Sequence, residues 1–327
     1  MRILFFTDTH LRSVTPQNRT DNLPQALAAK LEEVVKLARD WSADLILHGG
    51  DLFDVPNPGL AQAGEYLSIL KQITCPLYIV PGNHDLYGGN LSTLPRTLLG
   101  LLTRLGYLQL LLPENPLIIE ERGVRYCLTG QGYHYDIDRS PKGRGYNIER
   151  RNADCFIHVV HGMLLEKGGF PGEHTLIDEI EHPADITLSG HYHLGFGVVE
   201  RQGHLFVNPG ALVRLTNHPV EMNRQPAVAL INTADGLNCE IRPLASACPG
   251  AEVLSREATE LHLSRQRQLE IFSSEIKAAA DMKKVNVEKV LEDLLIENND
   301  LSSEVKAEAR RRLGQAQEFF AQRGSAR

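Results

Sequence analysis

The sequence predicts an α/β fold, a four-layer α/β/β/α sandwich with a C-terminal helical extension. Two observations predict it. In the first hundred residues, short apolar runs alternate with amphipathic stretches of helical spacing, which implies parallel strands joined by right-handed crossovers. From about residue 107 to residue 243, strand-like runs instead come in pairs around Gly-containing turns, a pattern typical of antiparallel hairpins. Two sheets with helices outside them give four layers.

The first half contains three predicted strands that alternate with three predicted helices. The strands are predicted at 2–7, 44–48 and 77–80, and the helices at 23–41, 60–73 and 91–105. In the first helix, apolar residues recur every three or four positions on one face while charged residues occupy the other. That apolar face consists of Leu27, Leu31, Val34, Val35 and Ala38.

The second half is predicted to consist mostly of strands. Apolar runs predict two buried strands at 154–160 and 186–188. Three hairpins are predicted, pairing 118–120 with 125–129, 197–200 with 204–207, and 227–232 with 238–241. We expect an antiparallel sheet here, joined to the parallel sheet of the first half.

Pro249-Gly250 marks a predicted boundary between a main domain, residues 1–250, and a helical C-terminal extension, residues 251–327. Residues 252–327 contain no Pro and only two Gly, and they predict two or three amphipathic helices. One apolar stripe comprises Val287, Val290, Leu291, Leu294 and Leu295, and another comprises Val305, Ala309, Leu313 and Ala316. The extension either packs on the main domain or docks a partner, and the pattern leaves both interpretations open.

Composition argues weakly against an independent nucleic-acid binder. The 327 residues carry a net charge of −7, whereas phosphate contacts usually need a surplus of Lys and Arg. Two bound divalent ions would return about four positive charges at the site itself. Five scattered cysteines without a CxxC pair suggest reduced thiols, and no apolar run approaches the roughly 18 residues of a membrane span. We therefore expect a cytoplasmic protein with no membrane association.

Seven side chains able to bind metals follow the predicted strands, each just past a strand end. They are Asp8, His10, Asp51, Asn83, His161, His191 and His193. Ligands in loops at strand ends are where an α/β sheet builds a site. Taken singly, each has an ordinary structural explanation, such as a turn, a helix cap or a core histidine. Together they predict a two-metal centre, and their carboxylate, amide and imidazole groups suit Mn²⁺, Fe, Zn²⁺ or Mg²⁺.

These blocks resemble the signature of the calcineurin-like metallophosphoesterase superfamily, D-x-H … G-D … G-N-H-[DE] … H … G-H-x-H. The resemblance spans about residues 1–215. Within that superfamily, the N-terminal stretch is most similar to SbcD-type nucleases of double-strand-break repair. The segments that carry this similarity are Asp8-Thr9-His10-Leu11, the spaced Arg19 and Asp21, Gly50-Asp51-Leu52-Phe53-Asp54 and Pro81-Gly82-Asn83-His84-Asp85.

The resemblance implies how the residues divide between two divalent ions, of which Mn²⁺ is the first choice. One ion takes Asp8, His10, Asp51 and His193, and the other takes Asp51, Asn83, His161 and His191. Such a pair activates water and stabilises the attacking and leaving oxygens. His84 is implied as a catalytic residue that stabilises the phosphorane or protonates the leaving oxygen. Asp85 is the hypothesised hydrogen-bond partner that orients His84.

A basic segment with aromatic residues, 132–151, precedes the strand at 154–160. Its cations are Arg139, Lys142, Arg144, Arg150 and Arg151. One interpretation is a contact to nucleic-acid backbone, with Tyr133 and Tyr135 stacking on bases. The other is a solvated insertion. Further along the chain, Arg214 is predicted to face a substrate phosphate or to be an ordinary exposed arginine.

The leading hypothesis is a dimetal-dependent phosphodiester hydrolase, a DNA nuclease subunit of SbcD type. Under this reading, residues 252–327 grip an SbcC-type coiled-coil ATPase, although a homodimer contact is equally compatible with them. The alternative is a stand-alone phosphodiesterase or phosphatase for small nucleotides or other phosphoesters. A non-catalytic scaffold is a third possibility, against which the complete ligand set argues.

Overall fold

The computed structural model describes residues 1–139, 143–150, 152–234, 236–255 and 302–324. Its strands, in chain order, are β1 (Arg2–Phe6), β2 (Leu45–His48), β3 (Leu77–Ile79), β4 (Gln109–Leu110), β5 (Leu117–Glu121), β6 (Val124–Gln131), β7 (Cys155–Gly162), β8 (Leu164–Leu165), β9 (Thr175–Leu176), β10 (Ile186–His191), β11 (Gly197–Arg201), β12 (His204–Asn208), β13 (Ala227–Asn232) and β14 (Asn238–Pro243). The helices are α1 (Leu23–Asp40), α2 (Leu60–Leu70), α3 (Leu98–Arg104), α4 (Pro219–Asn223), α5 (Gly250–Val253) and α6 (Ser303–Gly324). Short 3₁₀ turns cover Tyr87–Gly89, Leu91–Arg96 and Ile177–Glu179.

Two six-stranded sheets stack face to face. The first has the order β14-β13-β1-β2-β3-β4, and the second has the order β11-β12-β10-β7-β6-β5. The predicted α/β fold with two stacked sheets is therefore confirmed. Apolar side chains of both inner faces, such as Phe5 and Leu47 from the first sheet and Ile157 and Leu188 from the second, form the core between the sheets. Helices α1 to α3 cover the outer face of the first sheet.

The expectation of a purely antiparallel second sheet is wrong. Strands β12, β10, β7 and β6 run parallel, and only the edge hairpins β5–β6 and β11–β12 are antiparallel. The long connections after β6 and β7 explain the difference, because parallel neighbours need a crossover of a dozen or more residues. The third predicted hairpin forms as β13–β14, but it joins the first sheet, where β13 pairs antiparallel with β1.

The helix predicted at 91–105 is broken in two. A 3₁₀ turn ends at Arg96, and α3 begins at Leu98. Pro95 lacks an amide hydrogen and fixes its own backbone, which interrupts a continuous helix. Thr97 then starts the new helix, because its hydroxyl accepts a hydrogen bond from the Gly100 amide at 3.1 Å.

The C-terminal part of the described chain returns to the first sheet's side of the site. Residues up to Ser255 hydrogen-bond to the segment 18–20, and α6 packs against the turn Tyr87–Gly89. The guanidinium of Arg310 in α6 lies over the Tyr135 ring at 3.1 Å from its centroid. Helix α6 contains the second predicted stripe, whereas the stripe from Val287 to Leu295 lies outside the described residues. The boundary near residue 250 stays a prediction.

Candidate metal centre

All seven predicted ligands meet at one edge of the stacked sheets. Parallel strands bring their carboxyl ends to the same edge, so loops from both sheets converge there. The first sheet supplies Asp8 and His10 after β1, Asp51 after β2 and Asn83 after β3. The second sheet supplies His161 from β7, His191 at the end of β10, and His193 two residues beyond that end. The cluster is buried: Asp8, His10 and His161 have no exposed surface, and Asp51 is 1% exposed.

Four of these ligands adopt a left-handed backbone conformation that is rare in residues other than glycine. Their φ angles are positive: Asp8 51°, His10 43°, Asp51 53° and His191 78°. The loops that hold them are cross-linked by backbone hydrogen bonds, from the Asp8 amide to Gly50 at 3.1 Å and from the His10 amide to Asp51 at 3.0 Å. Strained backbone of this kind clusters at functional sites because the surrounding structure must enforce it.

Glycines let these loops approach each other closely. A Cβ at Gly82 would collide with the carboxylate and backbone of Asp51, and a Cβ at Gly50 would collide with the His161 ring. The Gly-Gly-Asp and Pro-Gly-Asn blocks are therefore part of the site's geometry.

The first cluster consists of Asp8, His10, Asp51 and His193, and one ligand atom of each lies within 4.8 Å of the others. His10 Nε2 is 3.1 Å from His193 Nε2. Asp8 Oδ1 is 3.5 Å from His193 Nε2 and 3.9 Å from His10 Nε2. This is the set that the resemblance implies for one ion.

Asp51, His161 and His191 form the second cluster. His161 Nε2 is 3.2 Å from His191 Nδ1, 3.4 Å from Asp51 Oδ2 and 3.1 Å from Asn83 Oδ1. The other ring nitrogen of His161 lies 2.7 Å from the Gly49 carbonyl. Because Nδ1 must donate its hydrogen there, the neutral ring turns the lone pair of Nε2 towards the cluster.

The orphaned oxygen of Asp51 tests whether these residues fit two ions. Asp51 Oδ2 is buried and makes no hydrogen bond to any described residue. It lies 3.6 Å from His10 Nε2 in the first cluster and 3.4 Å from His161 Nε2 in the second. Ligand atoms about 2.1 Å from a common ion are roughly 3.0–3.5 Å apart. The residues therefore fit two ions with Asp51 shared between them.

The electrostatics of the site favour ligand forms of the carboxylates and of His191. Burial alone would raise the pKa of Asp8, but its hydrogen bond to His193 and the charge of that ring outweigh burial and lower it. Burial likewise opposes the lowered pKa of Asp51, which the charge of His161 causes. Burial lowers the pKa of His191 to about 3. Burial would lower the pKa of His161, but the charge of Asp51 raises it to about 9, so an ion must displace a proton from this ring to reach its lone pair.

His84 stands beside the clusters and faces a cavity of about 410 Å³. Its ring packs edge-on against His10, with centroids 4.7 Å apart. Its Nδ1 donates to the backbone carbonyl of Asp54 at 2.8 Å, so Nε2 is the atom available to a substrate. This arrangement leaves His84 free for the role that the resemblance implies.

Asp85 does not orient His84, which corrects that hypothesis. Its carboxylate is fully buried and accepts backbone N–H groups from Gly82 at 3.0 Å, Phe53 at 3.1 Å and Leu52 at 3.3 Å. Burial and then the charge of Asp51 raise the pKa of Asp85 to about 7. Asp85 therefore ties the Asp51 loop to the Asn83 loop.

Asp54 performs the positioning that was predicted for Asp85. Besides its carbonyl bond to His84, its carboxylate oxygen Oδ1 lies 3.6 Å from His10 Nδ1. The same oxygen pairs with the guanidinium of Arg12. Because Arg12 already supplies a cation there, the group His10–Asp54–His84 does not call for a third ion. Asp54 stands three residues after Asp51, a spacing that could have identified it.

Comparison with known proteins decides the family. A family model described as calcineurin-like phosphoesterase matches residues 1–195, more than half of the chain and the whole stretch that contains the seven ligands. The chain belongs to the calcineurin-like phosphoesterase family. The predicted resemblance is thereby confirmed, and the chain is a metal-dependent phosphoesterase at the level of the family.

Curated relatives within this similarity are DNA double-strand break repair proteins named Mre11. The one from Methanosarcina mazei is 28% identical over 209 residues, which cover 59% of this chain and 30% of that protein. The one from Haloferax volcanii is 28% identical over 206 residues, covering 59% of this chain and 41% of that protein. The chain thus matches less than half the length of these relatives.

Among solved structures, a putative 5′-nucleotidase from Staphylococcus aureus in complex with alpha-ketoglutarate is 16% identical, with a TM-score of 0.47, covering 82% of this chain and 58% of that chain. The protein TT1561 of Thermus thermophilus is 17% identical, with a TM-score of 0.40, covering 73% of this chain and 98% of that chain. With TM-scores below 0.5, neither likeness carries an argument.

Of the residues predicted to bind substrate, Tyr133 lies at the phosphoesterase centre. Its ring centroid is 5.6 Å from that of His191 and 6.3 Å from that of His161. Tyr135 does not offer a free ring face for stacking on a base, because Arg139 and Arg310 both lie over its ring. Arg144 is exposed and lines a different cavity, with Gln131 and His158. Its role stays a prediction.

Arg150 and Arg214 need correction. Arg150 pairs with Asp185 at 2.7 Å, and Asp185 precedes β10, so Arg150 lies at the opposite end of that strand from His191. Arg214 is 2% exposed, and its guanidinium donates to the carbonyls of Arg224 and Cys248. Arg214 is a structural arginine inside the protein. Lys142 and Arg151 lie outside the described residues.

Proposed function

We propose that this protein is a dimetal-dependent phosphodiesterase of nuclease type that cleaves DNA. The observation that carries the proposal is the unpaired Asp51 oxygen between two clusters of ligand atoms, with His84 beside them at a cavity. The names of the relatives, which are DNA repair proteins, support DNA as the substrate.

The residues divide into ligands, a proton donor and supports. One ion would be held by Asp8, His10, Asp51 and His193, and the other by Asp51, Asn83, His161 and His191, with Mn²⁺ as the proposed metal. Bound there, two such ions would supply Lewis-acid chemistry, which activates a water and stabilises the attacking and leaving oxygens of the phosphodiester.

His84 directs its Nε2 at the cavity and, when protonated, donates a hydrogen bond or a proton to a phosphate or leaving-group oxygen. The Asp54 carbonyl fixes the ring by accepting from Nδ1 at 2.8 Å. Tyr133 closes the other side of the centre, next to His191 and His161.

We further propose that the protein acts in the cytoplasm with an SbcC-type coiled-coil ATPase that binds within residues 252–327. All five cysteines are free thiols, which suits a reducing compartment. None of the described helices combines the length and hydrophobicity needed to cross a bilayer. Tyr87–Gly89, the turn on which α6 packs, follows Asn83 and His84 closely, so a partner on α6 would sit near the site.

The second candidate is a phosphodiesterase or phosphatase for small nucleotides or other phosphoesters. The net charge of −7 and a cavity of about 410 Å³ favour a small substrate over a long polyanion.

The test compares three substrates with Mn²⁺-loaded full-length protein: single-stranded DNA, bis-p-nitrophenyl phosphate and a cyclic nucleotide. The proposal expects cleavage of DNA and of the diester, abolished in Asp51→Asn together with binding of both ions by calorimetry. Glu240→Gln, an exposed residue remote from the centre, is the matched control. Activity on the cyclic nucleotide but not on DNA favours the second candidate, and activity on none contradicts both.

A further inference from the structure

One wall of the cavity at the metal centre is apolar, and hydrolysis of a phosphodiester by the ligands and His84 does not require such a wall. The floor of this cavity contains Asp51, Asn83, His84, His191 and His193. Ions held by four of these residues, together with His84, would bind the scissile phosphate. An organic group attached to that phosphate would then extend into the rest of the cavity.

The wall beyond the ligands consists of side chains suited to a flat, weakly polar group. Met163, Phe170, Leu194 and Leu215 line it. Phe170 is 40% exposed, although large aromatic residues are usually buried. A partly exposed aromatic ring that lines an active-site cavity offers a face on which another ring can stack.

The side-chain charges of the cavity do not favour a second phosphate as its occupant. None of the described residues that line it is Lys or Arg. Glu221 is already paired with Arg224 at 2.9 Å, and both side chains are less than 10% exposed. Thr216 and His218 add hydroxyl and imidazole groups to the lining, which can hydrogen-bond to the edge of a heterocycle.

We propose that this cavity binds the nucleobase attached to the scissile phosphate, with Phe170 as the stacking residue. The inference rests on the proposed function and names the substrate group that the site reads. At about 410 Å³, the cavity is at the small end of ligand sites, which span about 300–1,000 Å³, and it suits a single nucleoside. The base must therefore leave its helical stack to enter.

The test measures kcat and KM for two esters with the same leaving group, thymidine 5′-(p-nitrophenyl phosphate) and methyl p-nitrophenyl phosphate, with Mn²⁺-loaded full-length protein. Phe170→Ala is expected to raise the ratio of the nucleoside-ester KM to the methyl-ester KM about 5-fold to 150-fold, the range of one base–aromatic stack. Phe170→Trp keeps an aromatic face and is expected to keep the ratio within about twofold. Tyr107→Ala, which removes an aromatic of similar exposure (47%) remote from the centre, is the control.

A binding measurement separates this proposal from the proposed function. Calorimetry with thymidine 5′-monophosphate and with inorganic phosphate needs no turnover, and Phe170→Ala is expected to weaken only the nucleotide. If both esters are inert but this selective loss is seen, the phosphodiesterase fails and the nucleobase subsite stands. The subsite is overturned if Phe170→Ala leaves the KM ratio unchanged, whether or not both KM values rise together. It is also overturned if this variant weakens the binding of nucleotide and of inorganic phosphate equally.

Discussion

Single residues in this site carry two functions at once, and Asp54 is the clearest case. Its carboxylate faces the imidazole of His10, while its carbonyl accepts from the imidazole of His84. A carboxylate beside the ring nitrogen that faces away from the ion orients a ligand histidine, and removal of such a group commonly costs 10- to 100-fold in metal affinity or activity.

Asp54→Asn should therefore weaken one ion by roughly 10- to 100-fold and leave the other nearly unchanged. His10 belongs to the first cluster only, so calorimetric titration with Mn²⁺ should resolve one weakened and one intact site. Asp40→Asn, which breaks an exposed pair with Lys36, is the control. Equal weakening of both sites would contradict the assignment of Asp54 to His10.

His191 combines ligation with a strained backbone, at a φ of 78°. Because Gly has no Cβ and adopts this conformation freely, metal-free His191→Gly should be more stable than metal-free His191→Ala by about 1 kcal/mol. At a strand end with an ordinary negative φ, the alanine variant would instead be the more stable of the two. Urea unfolding in the presence of a chelator measures this difference, and equal stabilities would show that the strain is relieved in the metal-free protein.

Lys30 is a buried cation away from the ligands. It is 3% exposed, and its ammonium donates to the Leu212 carbonyl at 2.8 Å. Burial, and then the nearby cations, lower its pKa from 10.5 to about 7. The charged groups that influence it are Arg19, Arg214, Arg224 and Asp21.

The folded state therefore binds fewer protons at Lys30 than the unfolded state between pH 7 and pH 10.5. The free energy of unfolding should rise through that window by up to about 1.4 kcal/mol per pH unit, and this contribution should be flat below about pH 7. Urea unfolding at about pH 7, 8 and 9 should show a steeper rise in the wild type than in Lys30→Met. Parallel slopes for the two proteins would refute the lowered pKa.

At the scale of elements, the loops after β2 and β3 fit together only because Gly82 has no side chain. Gly82→Ala would displace the Asp51 carboxylate, which is shared by both clusters. Binding of both ions should be lost, as measured by metal content after dialysis. Gly64→Ala is the matched control, because a Cβ meets nothing within 4 Å there.

Gly64 lies on the exposed side of α2, so Gly64→Ala should keep both ions and gain up to about 1 kcal/mol in unfolding free energy from helix propensity. Retention of both ions in Gly82→Ala would contradict the close packing of the two loops.

The sequence patterns predicted the strands that carry ligands better than they predicted the arrangement of the strands. Asp8, Asp51, Asn83 and His161 each follow an apolar run, so their convergence was predictable from the rule that parallel strands end together. Strand order was not predictable, because an apolar run such as β7 does not reveal whether its neighbour runs parallel or antiparallel. The break at Pro95 was readable from the sequence.

Tertiary contacts decided the roles of other residues. Nothing local distinguishes Arg214, which is buried, from an exposed arginine, or reveals that Asp85 binds three backbone amides instead of His84. In the sequence, Tyr135 resembles an aromatic residue available for stacking. In the structure its ring is covered by Arg310 of α6, a helix that lies far along the chain.

For the whole molecule, the ligands come from both sheets. Four follow strands of the first sheet, two belong to strands of the second, and His193 follows the second of these strands. Chelation should therefore lower the thermal unfolding midpoint, since ligands that bind only the folded state add about 2.7 kcal/mol at about 100 times their Kd. Differential scanning calorimetry with Mn²⁺ or EDTA measures the shift, and Asp51→Asn should show none. A midpoint independent of Mn²⁺ would contradict the centre.

Ions bound at the centre would join the two sheets, so occupancy of the centre and packing between the layers would affect each other reciprocally. A conservative change deep in the interlayer core, such as Ile157→Val, would weaken packing between the two sheets, which bound ions also hold together. A sufficient supply of metal in the cell would then offset part of the stability lost through core mutations that do not contact a ligand.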